Sequence, residues 1–280
     1  MKKSGRSIHR FGVALASFAL CGLTATLASA TPSTQIWIPS TDIQPYKTVH
    51  LNIDSYVRTK PEGSDPNRQT GVPSNQDLPP VYLIGPTFGV LPFEKIQAEV
   101  GFDLIHGGSN TGFGLDKYPL YGHFKIGMPE DNTWIPAIAV GMYNIGTKSG
   151  DARKGELATN QDLAYGLVAK TLPVVGRLSA GYFFGNKKVL VTDEKDASGN
   201  FKSDEKGVLL SWDRTMTEIS DKLWLAVDYQ GSKSALGALS FGASWAFAKN
   251  VSVILGYDVY NNKKVAGQNT ATIQVDINFP

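Results

Sequence analysis

The sequence predicts an all-β chain that closes into a transmembrane antiparallel β-barrel of about 12 strands, and three observations carry this. Runs of about ten residues recur in which every second position is apolar, so each would form a strand with one greasy and one wet face. No apolar run after Ala30 approaches the roughly 18 residues that a membrane helix needs. The connections alternate between long and short, a rhythm that a soluble β-sandwich has no reason to obey.

The chain opens with Lys2, Lys3, Arg6 and Arg10, an apolar run from Phe11 to about Leu23, and Ala28-Ser29-Ala30 before Thr31-Pro32. A basic head, a short apolar segment and a small-x-small exit describe a secretory signal peptide over residues 1–30, cut near Ala30. Cys21 follows Leu20 rather than a small residue, so it does not mark a lipid-anchored cysteine. Cleavage leaves 250 of 280 residues and no cysteine, which excludes disulfides and thiol chemistry. It also removes four of 27 basic residues and none of 25 acidic ones, for a charge of −2, and that balance gives no reason to expect nucleic acid as a partner.

Residues 31–46, with Ile36-Trp37-Ile38-Pro39 inside them, are short and proline-punctuated, and lie either outside the barrel mouth or within it as a plug. Twelve alternating segments follow, near Lys47–Arg58, Val81–Leu91, Lys95–Ile105, Tyr118–Met128, Trp134–Ile145, Asp162–Leu172, Arg177–Asn186, Gly207–Thr215, Lys222–Gln230, Leu236–Phe247, Val251–Tyr260 and Thr270–Phe279. Alternation is cleanest in Ile96/Ala98/Val100/Phe102/Leu104 and weakest around Pro136 and Val208–Leu210. Long connections are expected at 59–80, 106–117, 146–161 and 187–206, with short ones at 92–94, 129–133 and 173–176. The long ones are rich in Gly, Ser, Pro, Asn and Asp and read as solvated surface.

The last segment has Ala271, Ile273, Val275, Ile277 and Phe279 on one parity and Thr270, Thr272, Gln274, Asp276 and Asn278 on the other. It resembles the closing strand of Gram-negative outer-membrane β-barrels, whose terminal aromatic is part of the signal read by the insertion machinery. Here Phe279 would serve that role, although Pro280 follows it. The resemblance implies a bacterial outer-membrane location among outer-membrane lipids, a periplasmic or plug segment at 31–46, a barrel at 47–280, and porin-like passage of small solutes or ions.

With the apolar parity facing lipid, the other parity faces the lumen. Gly85, Gly89, Gly101, Gly127, Gly141, Gly166, Gly181, Gly242 and Gly256 fall inward, where glycine either relieves strain as the sheet closes or leaves room for solute. The inward charges include Arg58, Lys95, Lys170 and Arg177 towards the rims, and His50 and His123. The expected pore-lining set is Asp54, Glu99, Asp103, Lys125, Asp228, Asp258 and Asp276. Its acidic excess predicts a weak cation preference if water fills the lumen; the alternative is that the charges pair across a closed interior and the barrel acts through its loops. Tyr82, Phe93, Tyr118, Trp134, Tyr165, Tyr182, Trp212, Tyr229, Trp245 and Phe279 suit interfacial girdles.

No catalytic residue, metal site or cofactor is expected. His106 and Ser109 in His106-Gly107-Gly108-Ser109 superficially resemble the motif of the outer-membrane phospholipase, a lipid hydrolase. Positions three apart on an extended strand face opposite ways, however. Gly112-Phe113-Gly114 lacks the helix that a phosphate loop needs. Asp193–Asn200 fails calcium-loop spacing at Lys195, and His50, His106 and His123 lie on separate segments.

Overall fold

The computed structural model describes residues 33–61, 80–107, 117–131 and 134–280. Twelve strands form one closed barrel: β1 (Val49–Arg58), β2 (Val81–Gly89), β3 (Gln97–His106), β4 (Leu120–Met128), β5 (Ala137–Gly146), β6 (Leu163–Leu172), β7 (Gly176–Phe184), β10 (Lys206–Thr215), β11 (Leu223–Gln230), β12 (Ala238–Ala248), β13 (Val251–Tyr260) and β14 (Thr270–Phe279). Every neighbouring pair is antiparallel, and β1 closes the cylinder on β14 from Val49↔Phe279 to Arg58↔Thr270. Closure leaves no edge strand, so every strand can satisfy its backbone where no water is available.

Both barrel termini lie at one end, called the termini end, with the short connections 90–96, 129–136, 173–175, 216–222 and 249–250. The connections 59–80, 107–119, 147–162, 185–205, 231–237 and 261–269 lie at the other, the loop end. The expected signal peptide, like most of 59–80 and 107–119, lies outside the described residues.

The outward parity carries an apolar band. Ile84, Val100, Phe102, Leu104, Ile126, Val140, Leu210, Phe241, Leu255 and Ile273 are all exposed, as a lipid-facing surface requires. Exposed aromatics mark its margins, with Phe93, Trp134, Trp245, Phe247 and Phe279 towards the termini end and Tyr82, Tyr182 and Phe184 towards the loop end. Trp134 is 92% exposed, which suits a ring at the headgroup level rather than a core position.

One expected loop is structured. Within 185–205, β8 (Val191–Lys195) and β9 (Phe201–Ser203) form a small two-stranded sheet. Asp196 turns it by accepting hydrogen bonds from Ser198 N (2.8 Å) and Asn200 N (3.0 Å), and Gly199 takes a φ of 82°, a conformation that glycine adopts at little cost. The hairpin is tied to the rim: Asp193 pairs with Lys264 Nζ at 3.1 Å and accepts from Asn262 Nδ2 at 2.8 Å, beside the one-turn helix α1 (Lys263–Ala266).

Candidate functional site

Residues 33–46 sit inside the barrel as a tight hairpin. Gln35 N donates to Ile38 O at 2.8 Å and Ser40 N to Ser33 O at 3.2 Å, with Thr34 bridged to Pro39. So short a turn leaves backbone donors without partners of its own, and the inward faces of distant strands supply them. Asp228 Oδ2 accepts from both Ile36 N (2.8 Å) and Trp37 N (3.0 Å). Glu99 accepts from Ser33 Oγ (2.9 Å) and Gln44 N (2.6 Å). Lys125 Nζ pairs with Glu99 at 3.1 Å and donates to the carbonyls of Ser33 and Ser40 at 3.1 and 3.2 Å. Gln274 Nε2 donates to Ile36 O at 2.8 Å, and Gln35 Nε2 to Asp213 at 3.0 Å. Arg177 bridges Asp42 and Asp213 at 2.6 and 2.9 Å.

The same hairpin is held by apolar contacts. Ile38 joins buried Leu163, Leu167, Phe183 and Leu209, and Ile36 joins Trp224, Ala226 and Ile254. The segment crosses to β1 over Gly89, where a Cβ would fall 1.9 Å from Pro45 O; glycine is needed there for close approach, not for bending.

Beside and above the hairpin is a cavity of about 800 Å³, reaching from His50, Glu99 and Lys125 near the termini end to residues 155–158, 189–193 and 264–266 at the loop end. Its polar wall contains a connected row. His123 Nδ1 is 3.0 Å from Asp103 Oδ2, and His123 Nε2 is 2.9 Å from Thr87 Oγ1. Gly101 lies opposite both His123 and Thr87 in the sheet, and a Cβ there would meet His123 Nε2 at 2.3 Å. The missing side chain is what lets the imidazole lie across β3. A second row runs from His50 Nε2 to Asp276 (3.3 Å) and from His50 Nδ1 to Asn278 Oδ1 (3.1 Å).

Aromatic rings also line the cavity. Trp37 meets Tyr56 and Tyr260 edge-on, each at 5.6 Å between centroids, and Tyr143 meets Tyr165 at 5.7 Å. Arg58 lies over Tyr260 at 5.3 Å and donates to the carbonyls of Gln268 and Ala266. At the mouth, Arg153 donates to Asp151 through Nε (2.8 Å) and Nη2 (2.7 Å), and these bonds pull the Asp151 carboxyl down to about 2.

Of the residues named from sequence, Asp54, Glu99, Asp103 and Lys125 border this cavity. Asp228, Asp258 and Asp276 are buried on the inward face but lie outside its lining; Asp228 holds the hairpin, and Asp258 accepts from Thr270 Oγ1 at 2.7 Å. Two inward assignments and one girdle assignment need correction, all on β6. Lys170 pairs with exposed Leu178, and Gly166 with exposed Val140, so both face outward, while Tyr165 is buried inside rather than in a girdle. The cause is that Leu163, Tyr165 and Leu167 pack against the hairpin. An apolar parity marks lipid only where nothing apolar fills the lumen.

Sequence reasoning missed Thr87, Gln274 and the tyrosine wall; the hairpin's bonds to the barrel wall described above join residues 55–238 positions apart, beyond any local pattern. His106 ends β3 on the exposed side, while Ser109 and Gly112-Phe113-Gly114 lie outside the described residues. Among the described residues, no group of three or more His, Cys, Asp or Glu is placed to hold a metal ion.

A closed twelve-stranded antiparallel barrel with an apolar outer belt and a polar, partly filled interior defines the class: a transmembrane β-barrel. Among solved structures, the chain is similar to an outer-membrane channel from Pseudomonas putida F1, with a TM-score of 0.45 and 10% identity over 86% of this chain and 98% of that one. It is also similar to the KdgM porin, at 0.47 and 6% over 83% and 98%, and to outer membrane phospholipase A from Escherichia coli, at 0.42 and 12% over 84% and 93%. The likeness is one of barrel architecture. No family model matches the sequence, and no curated protein sequence matches it.

Proposed function

We propose that the protein is a porin-like channel passing small solutes or ions with a weak cation preference, and that residues 33–46 narrow its lumen. The observation that carries this reading is the cavity of about 800 Å³ running beside the hairpin along the barrel wall. Five acids border it (Asp54, Glu99, Asp103, Glu156 and Asp193) against three bases (Arg58, Lys125 and Lys264). With neutral histidines, that gives the path a formal charge of −2, the sign that favours cations. Cleavage of residues 1–30 as a signal peptide, and recognition of Phe279 by the insertion machinery, belong to the same reading.

A second reading is favoured by the hairpin itself. Ile36 and Ile38 are buried in apolar clusters inside the lumen, as expected of a closed barrel that works through its loops. Ion current across a planar bilayer under a salt gradient separates the two. Discrete steps with a cation-selective reversal potential, enlarged when residues 33–46 are deleted, support the channel. A silent bilayer, with folding verified by heat-dependent gel mobility, overturns it in favour of the closed barrel.

A further inference from the structure

We infer that the loop-end part of this cavity, a chamber between Trp37, Tyr56, Asp54 and Tyr143, is a binding site for an organic cation with a flat, apolar body, such as an aromatic amine or quaternary ammonium compound. This rests on the channel reading in one respect, that solute reaches the chamber, and it goes beyond it by naming the solute. A general diffusion pore is walled by charged and hydrated groups, whereas this chamber is walled largely by rings and aliphatic chains. Tyr56, Trp37 and Tyr260 stand edge to face, Tyr143 and Tyr165 line the cavity as well, and Leu83, paired with Asp54 across β1 and β2, and Ile105 add aliphatic surface. The whole cavity of which the chamber is the loop-end part measures about 800 Å³, within the roughly 300–1,000 Å³ of sites that hold drug-sized molecules.

Charge then selects the ligand. Glu99 and Asp193 are neutralised by Lys125 and Lys264, and Glu156 accepts from Asp151 N at 2.9 Å. Asp54 is different. It is 91% buried, given a relative exposure of 9%, and among the described residues the side-chain donor to it is its neighbour Asn52, at a long 3.5 Å. Among the described residues, no lysine or arginine forms an ion pair with it. Asp54 stands two residues from Tyr56 on the same face of β1, and Asp103 shares the chamber with it. A buried carboxylate without a cation, next to electron-rich ring faces, is the arrangement that recognises ammonium groups. Arg58, the nearby base, is engaged by Tyr260 and two carbonyls and sits at the chamber's rim.

The test uses the refolded full-length barrel and three probes that share one ring: benzyltrimethylammonium, neutral benzyl alcohol and anionic benzenesulfonate. Trp37 reports occupancy, read as the fluorescence change that disappears in Trp37→Phe. Saturable binding of the cation, about tenfold tighter than the alcohol and weakened about tenfold when Asp54→Asn and Asp103→Asn are combined, supports the site. Equal binding of cation and sulfonate, no Trp37-dependent binding, or no effect of the double variant overturns it; gel mobility verifies that the double variant folds. Conductance without cation binding removes this inference and leaves the channel. Binding without conductance keeps the site and removes the channel.

Discussion

Asp228 is the position at which the hold on the internal hairpin can be measured. One carboxylate oxygen accepts the backbone N–H groups of both Ile36 and Trp37, at 2.8 and 3.0 Å, and the residue is 1% exposed. Asp228→Ala orphans two buried donors, each costing about 1–3 kcal/mol, so the docked hairpin loses about 2–6 kcal/mol relative to an undocked one. A loss of about 3 kcal/mol, towards the lower end of that range, is roughly a hundredfold in the docking equilibrium. Asp228→Asn keeps a carbonyl oxygen at the same place and loses less. The assay is maleimide labelling of a cysteine at Ile38, buried at 0% exposure, in a chain where Cys21 has been replaced. Labelling in the Asp228→Ala background is expected to accelerate by about a hundredfold, with a parallel rise in single-channel conductance. Unchanged labelling in a correctly folded Asp228→Ala barrel would refute the claim that this carboxylate holds the segment in place.

Other perturbations follow from the same geometry. Gly101→Ala places a Cβ 2.3 Å from His123 Nε2 and 2.5 Å from Pro86 O, so it is expected to destabilise the barrel by about 1–3 kcal/mol. Gly166→Ala, whose nearest neighbour is Val140 Cγ1 at 3.8 Å, is expected to be close to neutral, and urea titrations followed by gel mobility compare the two. Val100→Arg puts a charge on the exposed outer face of β3 and is expected to cost about 2–4 kcal/mol near the bilayer midplane; a cost near zero would argue that this face does not meet lipid. The Asp151 carboxyl is depressed to about 2 by its bonds from Arg153, below the roughly 3.9 of a free aspartate. Its contribution is therefore complete above about pH 4 and is lost as pH falls through 2. Hydrogen exchange in residues 151–156 should stay flat from pH 7 to 4 after correction for intrinsic rates, and protection should fall below that in wild type but not in Arg153→Ala.

Strand number, sidedness and most of the inward list were legible because a membrane barrel makes each ten-residue segment declare two faces. Asp54, Glu99, Asp103 and Lys125 could be placed on the lumen wall by counting parity from Ile96 or Ile53. Parity failed on β6, where Leu163 and Leu167 point inward to Ile38, because polarity reports the medium a side chain meets and not the direction of the membrane. The hairpin itself gave little warning. Its turn is too short for periodicity, and its partners, among them Asp213, Asp228 and Gln274, are assembled only by closure. Asp193–Asn200 read as solvated loop since its order comes from one Asx turn and a docking bond to Asn262, neither of which leaves a pattern along the chain.

The route from the hairpin into the wall has a consequence for assembly. Tyr46 bridges to Gly89, and two residues after Lys47 the chain becomes β1, whose second partner is β14, the last strand. The seam that seals the cylinder therefore joins segments separated by nearly the whole chain, a pairing of high loop-closure entropy that forms late. Until it forms, the wall that will enclose residues 33–46 is an open sheet, and the apolar face of β6, β7 and β10 that receives Ile38 lies uncovered. The segment can settle on that face as a template before the last strand arrives, so the chain's own leading residues would act as an internal mandrel around which the cylinder is wrapped.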